Sequence, residues 1–451
     1  MLFSAKAGVA RVAAAASRRT GRGGGTTLPG KLLLRMQPDA ISVLGRSLIG
    51  GSAVVSATNG KTTTAKMAAA ILEPEHRLCR NGAGANLESG IASALLEGNP
   101  AATGLFEVDE AALPAVVGAL EPRVLVLGNL FRDQLDRYGE LETVGAGWRR
   151  MVAGLPHDTT VVYNADDPLV ASIASAHPAT VAFGIDDPSA ALAALPHAAD
   201  SKWCPGCGAR LVYDAVYLGH LGAWHCPNCD VSRAPLDAAA RSVVGHGLDA
   251  VEFRLALAGE EVDVRLPLPG TYNVYNALAA AALGHSLAGV TPERARHGLE
   301  SFSAAFGRFE RVEIGGRKTI LLLIKNPAGA NEVVRTLCSD PQPMTLLVAL
   351  NDRIADGRDV SWIWDVDFEP LEGRVEHAVA TGTRGAEMAM RLAYAGVPRT
   401  AIEVAPMASA VDRATASGSG PLYVLTTYTA MLELRHQLAD RGIVRPYWEA
   451  A

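Results

Sequence analysis

The sequence predicts an α/β protein built from two units, a larger mostly parallel sheet and a smaller doubly wound, Rossmann-like one. Three observations carry this expectation. Short apolar strands alternate with helical stretches along most of the chain. The run Thr58-Asn59-Gly60-Lys61-Thr62-Thr63 stands between the first such strand and an Ala-rich helix. A fresh strand–helix series then opens after Arg311.

The first element is the most informative. A β-branched stretch, Ser52 to Ser56, leads into the Gly60-Lys61-Thr62-Thr63 turn, and a helix is expected from Ala65 to Leu72. A strand, a tight turn and a helix N-terminus in that order make an anion site, because backbone N–H groups and the positive end of the helix dipole converge there. Lys61 can reach the β- and γ-phosphates of ATP, and the hydroxyl of Thr62 or Thr63 can hold Mg²⁺. Ala57 stands where such loops often carry glycine. An ordinary strand-to-helix turn that happens to contain lysine is the plain alternative.

Continuous apolar runs at 104–108, 123–127 and 159–163 suit strands covered on both faces. Residues 186–200, rich in Ala, Pro and Asp, read as a linker, and 262–266 as a half-exposed strand before a helix over 273–287. The second series has strands at 320–324, 345–350, 378–381, 402–405 and 422–426, closing with a helix at 429–441. The expected division is therefore a basic N-terminal segment, 1–40; a central P-loop ATPase domain, 41–310, with an insert at about 201–235; and a C-terminal α/β domain, 311–451.

The bulk composition narrows the partners. The chain has 451 residues, 49% hydrophobic and 20% charged, with a net charge of -6. That describes a soluble globular protein with ample core and argues against nucleic acid as the main partner. No apolar run reaches the roughly 18 residues that span a bilayer. The first 38 residues hold seven Lys or Arg and no acid. Arg18-Arg19 is followed by a Gly-rich run without an apolar core, which excludes an export signal. A solvated basic helix and a patch resting near anionic lipid stay equally open.

Six cysteines include two Cys-x-x-Cys pairs, Cys204/Cys207 and Cys226/Cys229. Two such knuckles can supply four thiolates to a tetrahedral Zn²⁺, and a full shell makes the zinc structural, a zinc ribbon set into the ATPase domain. A redox dithiol is the weaker alternative. Cys79 and Cys338 are expected as buried core thiols. Glu107, at the end of the strand before Val108-Asp109-Glu110, is placed to hold Mg²⁺ beside the phosphate loop. Asp109 or Glu110 could serve instead.

Together with Asn129 and Asp133-Gln134-Leu135-Asp136, Asn164-Ala165-Asp166-Asp167, Gly270-Thr271-Tyr272-Asn273-Val274-Tyr275-Asn276 and Gly307-Arg308-Phe309-Glu310, these segments fall in an order that resembles the Mur ligase family. The resemblance covers the chain after about residue 30. It implies a ligase that activates a carboxylate with ATP as an acyl phosphate, which an amine then attacks. It also implies Thr58, Asn59, Gly60, Lys61, Thr62 and Thr63 as phosphate-binding residues. Asn276 and Asn326 would lie near the base or ribose and Arg308 near the phosphates, with Thr62, Glu107 and Gln134 as Mg²⁺ ligands.

Within the family, the paired cysteines, the Lys325-Asn326-Pro327-Ala328-Gly329 loop, the stretch 356–365 and the short N-terminal segment are most similar to ligase subunits of lipid II isoglutaminyl synthases. That likeness implies amidation of the D-glutamate α-carboxylate of the lipid II stem peptide in peptidoglycan synthesis. The site of action would be cytoplasmic, peripheral to the inner face of the membrane. Ammonia would come from a GatD-type glutamine amidotransferase subunit in a heterodimer. An aspartate of this chain would complete the partner's Cys-His-Asp triad, with Asp352 the first candidate and Asp356 and Asp359 next. Two departures bear on the metal site. Gln134 stands where amino-acid-adding relatives carry His, and Trp148-Arg149-Arg150 where they often carry a carbamylated Lys; arginine stays charged and cannot be carbamylated. The rival readings are an amino-acid-adding or folylpolyglutamate-type ligase, and a non-catalytic zinc-ribbon NTP-binding module.

Overall fold

Why the phosphate loop sits where it does follows from the strand order. The computed structural model describes residues 6–12, 27–82, 84–99, 102–132, 141–196, 199–302, 308–418 and 420–444. Six strands come first: β1 (Ser52–Ser56), β2 (Leu78–Arg80), β3 (Thr103–Glu107), β4 (Val124–Leu127), β5 (Thr160–Asn164) and β6 (Thr180–Ile185). They form a parallel sheet in the order β6-β5-β4-β1-β3-β2. β1 lies between β4 and β3, so the chain reverses its direction of winding there. A crevice opens at the carboxyl ends of such strands. The phosphate loop follows β1, Glu107 ends β3, and Asn129 follows β4.

Alternation along β1 explains the two cores. Val55 packs with Leu105, Val126 and the long helix Thr271–Ala288 on one face. Val54 packs with Phe106, Leu125, Val116 and Trp148 on the other. Every residue of β1 and β4 is buried, as strands covered on both faces require.

After β6 the chain makes the cysteine module, whose hairpin is β7 (Val212–Leu218) and β8 (Leu221–His225). β9 (Ala238–His246) then joins β6 in parallel, and β10 (Ala250–Leu257) and β11 (Glu260–Leu266) add antiparallel to it. The nine-stranded sheet is therefore mixed. The alternating burial of β10 and β11 marks them as half-covered strands.

The second sheet has β12 (Arg308–Ile314), β13 (Arg317–Leu323), β14 (Met344–Ala349), β15 (Val375–Thr381), β16 (Ile402–Val404) and β17 (Leu422–Thr426). Its order is β12-β13-β17-β14-β15-β16, and only β12 runs antiparallel. The β13 and β14 ends, followed by Lys325-Asn326 and Asn351-Asp352, open on the same edge of this sheet.

The structure corrects several details. The phosphate-loop helix begins at Lys61, not Ala65, because the threonines already turn helically. The expected linker contains a 3₁₀ turn, Pro188–Ala190, capped by Asp187. Cys79 is buried, and burial pushes its thiol up to about 11, whereas Cys338 is only half-buried. The N-terminal segment is more than a solvated helix. Helix Leu28–Met36 buries Leu33 and closes on helix Glu88–Glu97 through Gly30, whose N–H donates to Ser93 Oγ at 2.8 Å. Lys6 and Arg11 donate to the backbone carbonyls of Met36 at 2.8 Å and Leu96 at 3.0 Å. Arg18, Arg19 and Arg22 lie outside the described residues. Among the described residues no helix is long and apolar enough to cross a membrane.

Candidate active site

The phosphate loop is held open by its neighbours. Gly60 takes φ +92°, and a Cβ there would sit 2.0 Å from Asn276 Oδ1; only glycine meets both demands. Ala57 fits because Gly128 faces it, where a Cβ would come within 2.7 Å of the alanine methyl. From the β4 side, Asn129 grips the loop twice. Its Oδ1 accepts the Asn59 N–H at 2.9 Å and its Nδ2 donates to Asn59 O at 3.0 Å. The Thr58 N–H donates to Asn129 O at 2.8 Å, and the Phe131 N–H to Thr58 Oγ1 at 3.0 Å.

Acids line the β3 side. Thr62 Oγ1 donates to Glu107 Oε1 at 2.9 Å, which brings two oxygens of the expected Mg²⁺ shell together at the helix N-terminus. Glu107 is in turn fixed by Asn81, which accepts its N–H at 3.0 Å and donates to its carbonyl at 2.8 Å. Lys61 Nζ pairs with Glu110 Oε2 at 2.7 Å, both side chains nearly inaccessible. Burial alone would push the Glu110 carboxyl up; the charges of Lys61 and Lys325 and the Lys61 hydrogen bond outweigh it and leave the group below its ordinary range. Lys61 is thus a buried cation whose counter-charge is a carboxylate at the loop.

The second sheet closes the crevice. Lys325 Nζ donates to Thr58 O at 2.9 Å. Asn326 caps helix Pro327–Leu337 by accepting the Gly329 N–H at 2.9 Å. It also exchanges amide hydrogen bonds with Asn59 at 3.2 and 3.0 Å. A largely apolar cavity runs from Asn59, Gly60 and Asn276 to Phe309, Tyr272 and Val333. Its apolar lining beside the phosphate loop suits one face of a flat heterocycle.

The four module cysteines converge. All four sulfurs lie within 4.8 Å of one another, close to the separation of about 3.8 Å that tetrahedral zinc with ordinary Zn–S bonds requires. The N–H groups of Gly206 and Asn228 point at the sulfurs of Cys204 and Cys226, at 3.4 and 3.5 Å, as donors to thiolates do. The donor set fits a structural zinc.

The three aspartates of the C-terminal unit differ sharply. Asp352, just past β14, accepts from Thr383 Oγ1 at 2.7 Å and Arg384 Nε at 2.8 Å, which hold its carboxyl below the usual range. It also lines an open depression with Arg353, Ile354 and Arg358. Asp356 is buried and accepts the Thr429 N–H at 2.7 Å and the Thr429 hydroxyl, so it caps the last helix, Tyr428–Asp440. Asp359 accepts the Ser361 N–H at 2.8 Å, closing the turn before a 3₁₀ segment, Ser361–Asp365.

Comparison with known proteins adds the decisive observation. The family model described as Mur ligase middle domain matches residues 55–203, and that described as MurT ligase C-terminal matches 323–431. The lipid II isoglutaminyl synthase (glutamine-hydrolyzing) subunit MurT of Streptococcus pneumoniae is 35% identical over 430 residues, 94% of each chain. The chain belongs to the Mur ligase family, in its MurT branch. The Staphylococcus aureus MurT subunit is 30% identical, over 95% of this chain and 96% of its own. Two solved structures share the fold. A pseudomurein peptide ligase type C from Methanothermus fervidus has a TM-score of 0.69 at 21% identity, covering 89% of this chain and 80% of its own. MurF from Acinetobacter baumannii has a TM-score of 0.66 at 18% identity, with 93% and 80% covered. The chain is accordingly an enzyme of the ligase class.

For this MurT-branch chain, the structure brings Thr58, Asn59, Gly60, Lys61, Thr62, Thr63, Glu107, Asn276 and Asn326 to one crevice. Gln134 lies outside the described residues, as do Asp133 and Asp136. Arg308 opens β12, and its side chain lies outside the described set. Trp148 is fully buried and donates to Glu110 O at 2.9 Å, so the position near 148 supports the acidic loop through an indole. The sequence marked Asn129 and Lys325 only as parts of family-like segments and Glu110 only as an alternative Mg²⁺ ligand; their contacts with Asn59, Thr58 and Lys61 come from the fold. Beyond that, their only linear signal was a polar residue immediately after an apolar strand. The Asn164-Ala165-Asp166-Asp167 run proves to be a brace. Asp167 caps helix Pro168–Ala174, and Asp166 binds Arg233 at 3.0 Å and the Tyr275 hydroxyl at 2.7 Å.

Proposed function

We propose that this chain is the ATP-dependent ligase subunit that converts the D-glutamate α-carboxylate of the lipid II stem peptide to the D-isoglutamine amide. Ammonia would be supplied by a GatD-type glutaminase subunit. The observation that supports it most is the crevice in which Lys61, Thr62 and Glu107 surround the phosphate loop, in a chain that aligns over nearly its full length with MurT subunits. We divide the chain into the N-terminal segment, the ATPase unit to about residue 310 with its zinc-binding insert, and the C-terminal unit.

In this reading Lys61 leaves Glu110 to neutralise the transferring phosphoryl group, and Thr62 and Glu107 would hold Mg²⁺, which when bound would offset charge on the phosphates. The substrate carboxylate attacks the γ-phosphorus, ADP departs, and ammonia displaces phosphate from the acyl phosphate. By the family resemblance, Asn276 and Asn326 would serve the base and ribose; the same resemblance assigns Arg308 to the phosphates and Gln134 to the metal, through a neutral amide oxygen. Cys204, Cys207, Cys226 and Cys229 would hold zinc as a structural ion.

Asp352 is the residue we assign to the partner's triad. It is rigid at a strand end and accessible, whereas Asp356 and Asp359 are engaged in local caps. An aspartate that orients a histidine needs both properties. Its loop and the ligase loop at Lys325-Asn326 share one edge of the C-terminal sheet, which favours a partner docked beside the ligase crevice.

An amino-acid-adding ligase would need a positioned amine other than ammonia and, in its relatives, the His and Lys that Gln134 and Arg149 replace. A non-catalytic NTP-binding module would not need Glu107 beside Thr62. The deciding test supplies the purified chain with lipid II and ATP, and compares free ammonium with amino acids as acceptors. Amide formation with ammonium alone supports the assignment. Amino-acid addition, or nucleotide binding without turnover, replaces it with one of the rivals.

A further inference from the structure

The cysteine module reaches far beyond its own sulfurs. Its hairpin turns at Gly219-His220, and the turn enters the ATPase core, where Leu218, His220 and Leu221 are all buried. Leu218 and Leu221 line the same cavity as Asn59, Gly60, Asn276 and Phe309. His220 is wholly inaccessible. Its ring centroid lies 4.6 Å from that of Phe131, and its Nε2 stands 3.3 Å from Asp167 Oδ2. That same Oδ2 accepts the Leu130 N–H at 2.9 Å, while Oδ1 accepts from Leu169 and Val170 at 2.9 and 3.1 Å. Gly219 permits the approach: it has φ +57°, and a Cβ there would lie 2.9 Å from the Phe131 ring. From Phe131 the line runs to Thr58 Oγ1 at 3.0 Å, and from Asn129 to Asn59 at 2.9 Å.

A buried imidazole neither of whose ring nitrogens makes a hydrogen bond among the described residues, with Nε2 only in contact with Asp167, is costly to keep in a core. A leucine would fill the space without that cost. The site needs a flat ring on Phe131 with a polar edge toward Asp167, and Asp167 is the residue that fixes the strand-end segment Leu130–Phe131.

We infer that the hairpin tip of the cysteine module is a working part of the nucleotide pocket. Leu218 and Leu221 form the wall against which the apolar face of the base rests. His220 is a positioning residue, holding through Phe131 and Asp167 the segment whose Asn129 grips the phosphate loop. This rests on the ATP reading above and adds to it a base-recognition role for the inserted module. The two halves have separable consequences. A wall residue acts on the base alone, because apolar burial is its whole contribution. A brace on the Asn129 segment acts on the phosphate cradle, whatever is attached to the phosphates.

The experiment titrates the full chain with the magnesium complex of a non-hydrolysable ATP analogue and, separately, with magnesium tripolyphosphate, which presents phosphates without a base. Leu221→Ala is expected to weaken the ATP analogue by about tenfold and to leave tripolyphosphate unchanged. His220→Ala is expected to weaken both by about tenfold, and His220→Gln, which keeps a polar group of similar reach toward Asp167, to recover most of the loss. Unchanged analogue affinity in Leu221→Ala and His220→Ala overturns the inference. Equal loss of both ligands in Leu221→Ala overturns the wall assignment. If His220→Ala does not fold, the Leu221 comparison decides. Wild-type chain that binds neither ligand overturns the nucleotide reading itself. Wild-type binding that Lys61→Ala abolishes and the hairpin variants retain overturns the hairpin inference alone.

Discussion

At the residue scale, the site is a set of charges held against one another until substrate arrives. Lys61 rests on Glu110, and Thr62 on Glu107. Lys61→Ala takes the closest cation from the buried Glu110 carboxyl and should cost some stability, with Lys325 left to offset that charge and the strand and helix cores intact, yet it should still fold and lower ATP-dependent amidation by about a hundredfold or more. Circular dichroism and a turnover assay check both halves. Glu107→Ala should also lose turnover, with partial rescue by raised Mg²⁺; a loss insensitive to Mg²⁺ would place Glu107 outside the metal shell. A buried brace gives a pH signature. Burial raises the Asp166 carboxyl to about 6, against the opposing pull of Arg233 and Tyr275. A carboxyl raised on folding takes up a proton as the chain folds between its unfolded value near 3.8 and about 6. Its contribution therefore favours the fold below that window and is lost as pH rises through it. The stability difference between wild type and Asp166→Asn should shift by about 3 kcal/mol between pH 3.5 and 7, measured by denaturant titration at each pH. A difference that stays flat would show that Asp166 ionises as freely in the fold as in the unfolded chain.

At the scale of elements, the strands and helices that carry the site were legible because their signals are local. The β-branched run at 52–56, the Gly-Lys-Thr-Thr turn and the all-apolar run at 124–127 each announce one element. The paired cysteines announced a knuckle pair, and the sulfurs do meet. What stayed illegible depends on pairing between distant segments. Nothing in the Ala-rich run at 238–246 tells that it extends a parallel sheet and reverses it. No feature of Lys325 shows that it meets Thr58 across 267 residues. Asp356 read as a catalytic candidate because its partner, Thr429, lies 73 residues away. On this account Asp352→Asn should impair glutamine-driven amidation with the partner present and spare the reaction fed with free ammonium, since a triad aspartate acts only on glutamine hydrolysis. Asp356→Ala should instead lower the thermal midpoint, through loss of about 1 kcal/mol of helix capping at the Thr429 N–H. Equal loss of both nitrogen sources in Asp352→Asn would move that residue into the ligase site. The cysteine module yields a metal prediction: about one zinc per chain by metal analysis, released by Cys204→Ser, with stability falling more than chemistry in a free-ammonium assay. A disulfide and no stoichiometric metal would contradict it.

At the scale of the whole molecule, two sheets face one crevice, and each contributes what the other lacks. The nine-stranded sheet supplies the phosphate loop and its acids, and the six-stranded sheet supplies Lys325, Asn326 and the cavity wall at Phe309 and Val333. The Asn59–Asn326 amide exchange and the Lys325–Thr58 hydrogen bond join them at the loop. The Asp352 loop leaves the same edge of the second sheet, so ammonia production beside that loop would stand close to the acyl phosphate. On the proposed function, this crevice makes an amide from a carboxylate, ATP and ammonia. The most direct measurement incubates the purified chain with lipid II, MgATP and ¹⁵N-ammonium, and follows the stem peptide by mass spectrometry and ADP by a coupled assay. The account expects ¹⁵N in the glutamate α-carboxamide with one ADP formed per amide, both abolished by Lys61→Ala. ADP release without nitrogen incorporation, or incorporation that persists in Lys61→Ala, would contradict it.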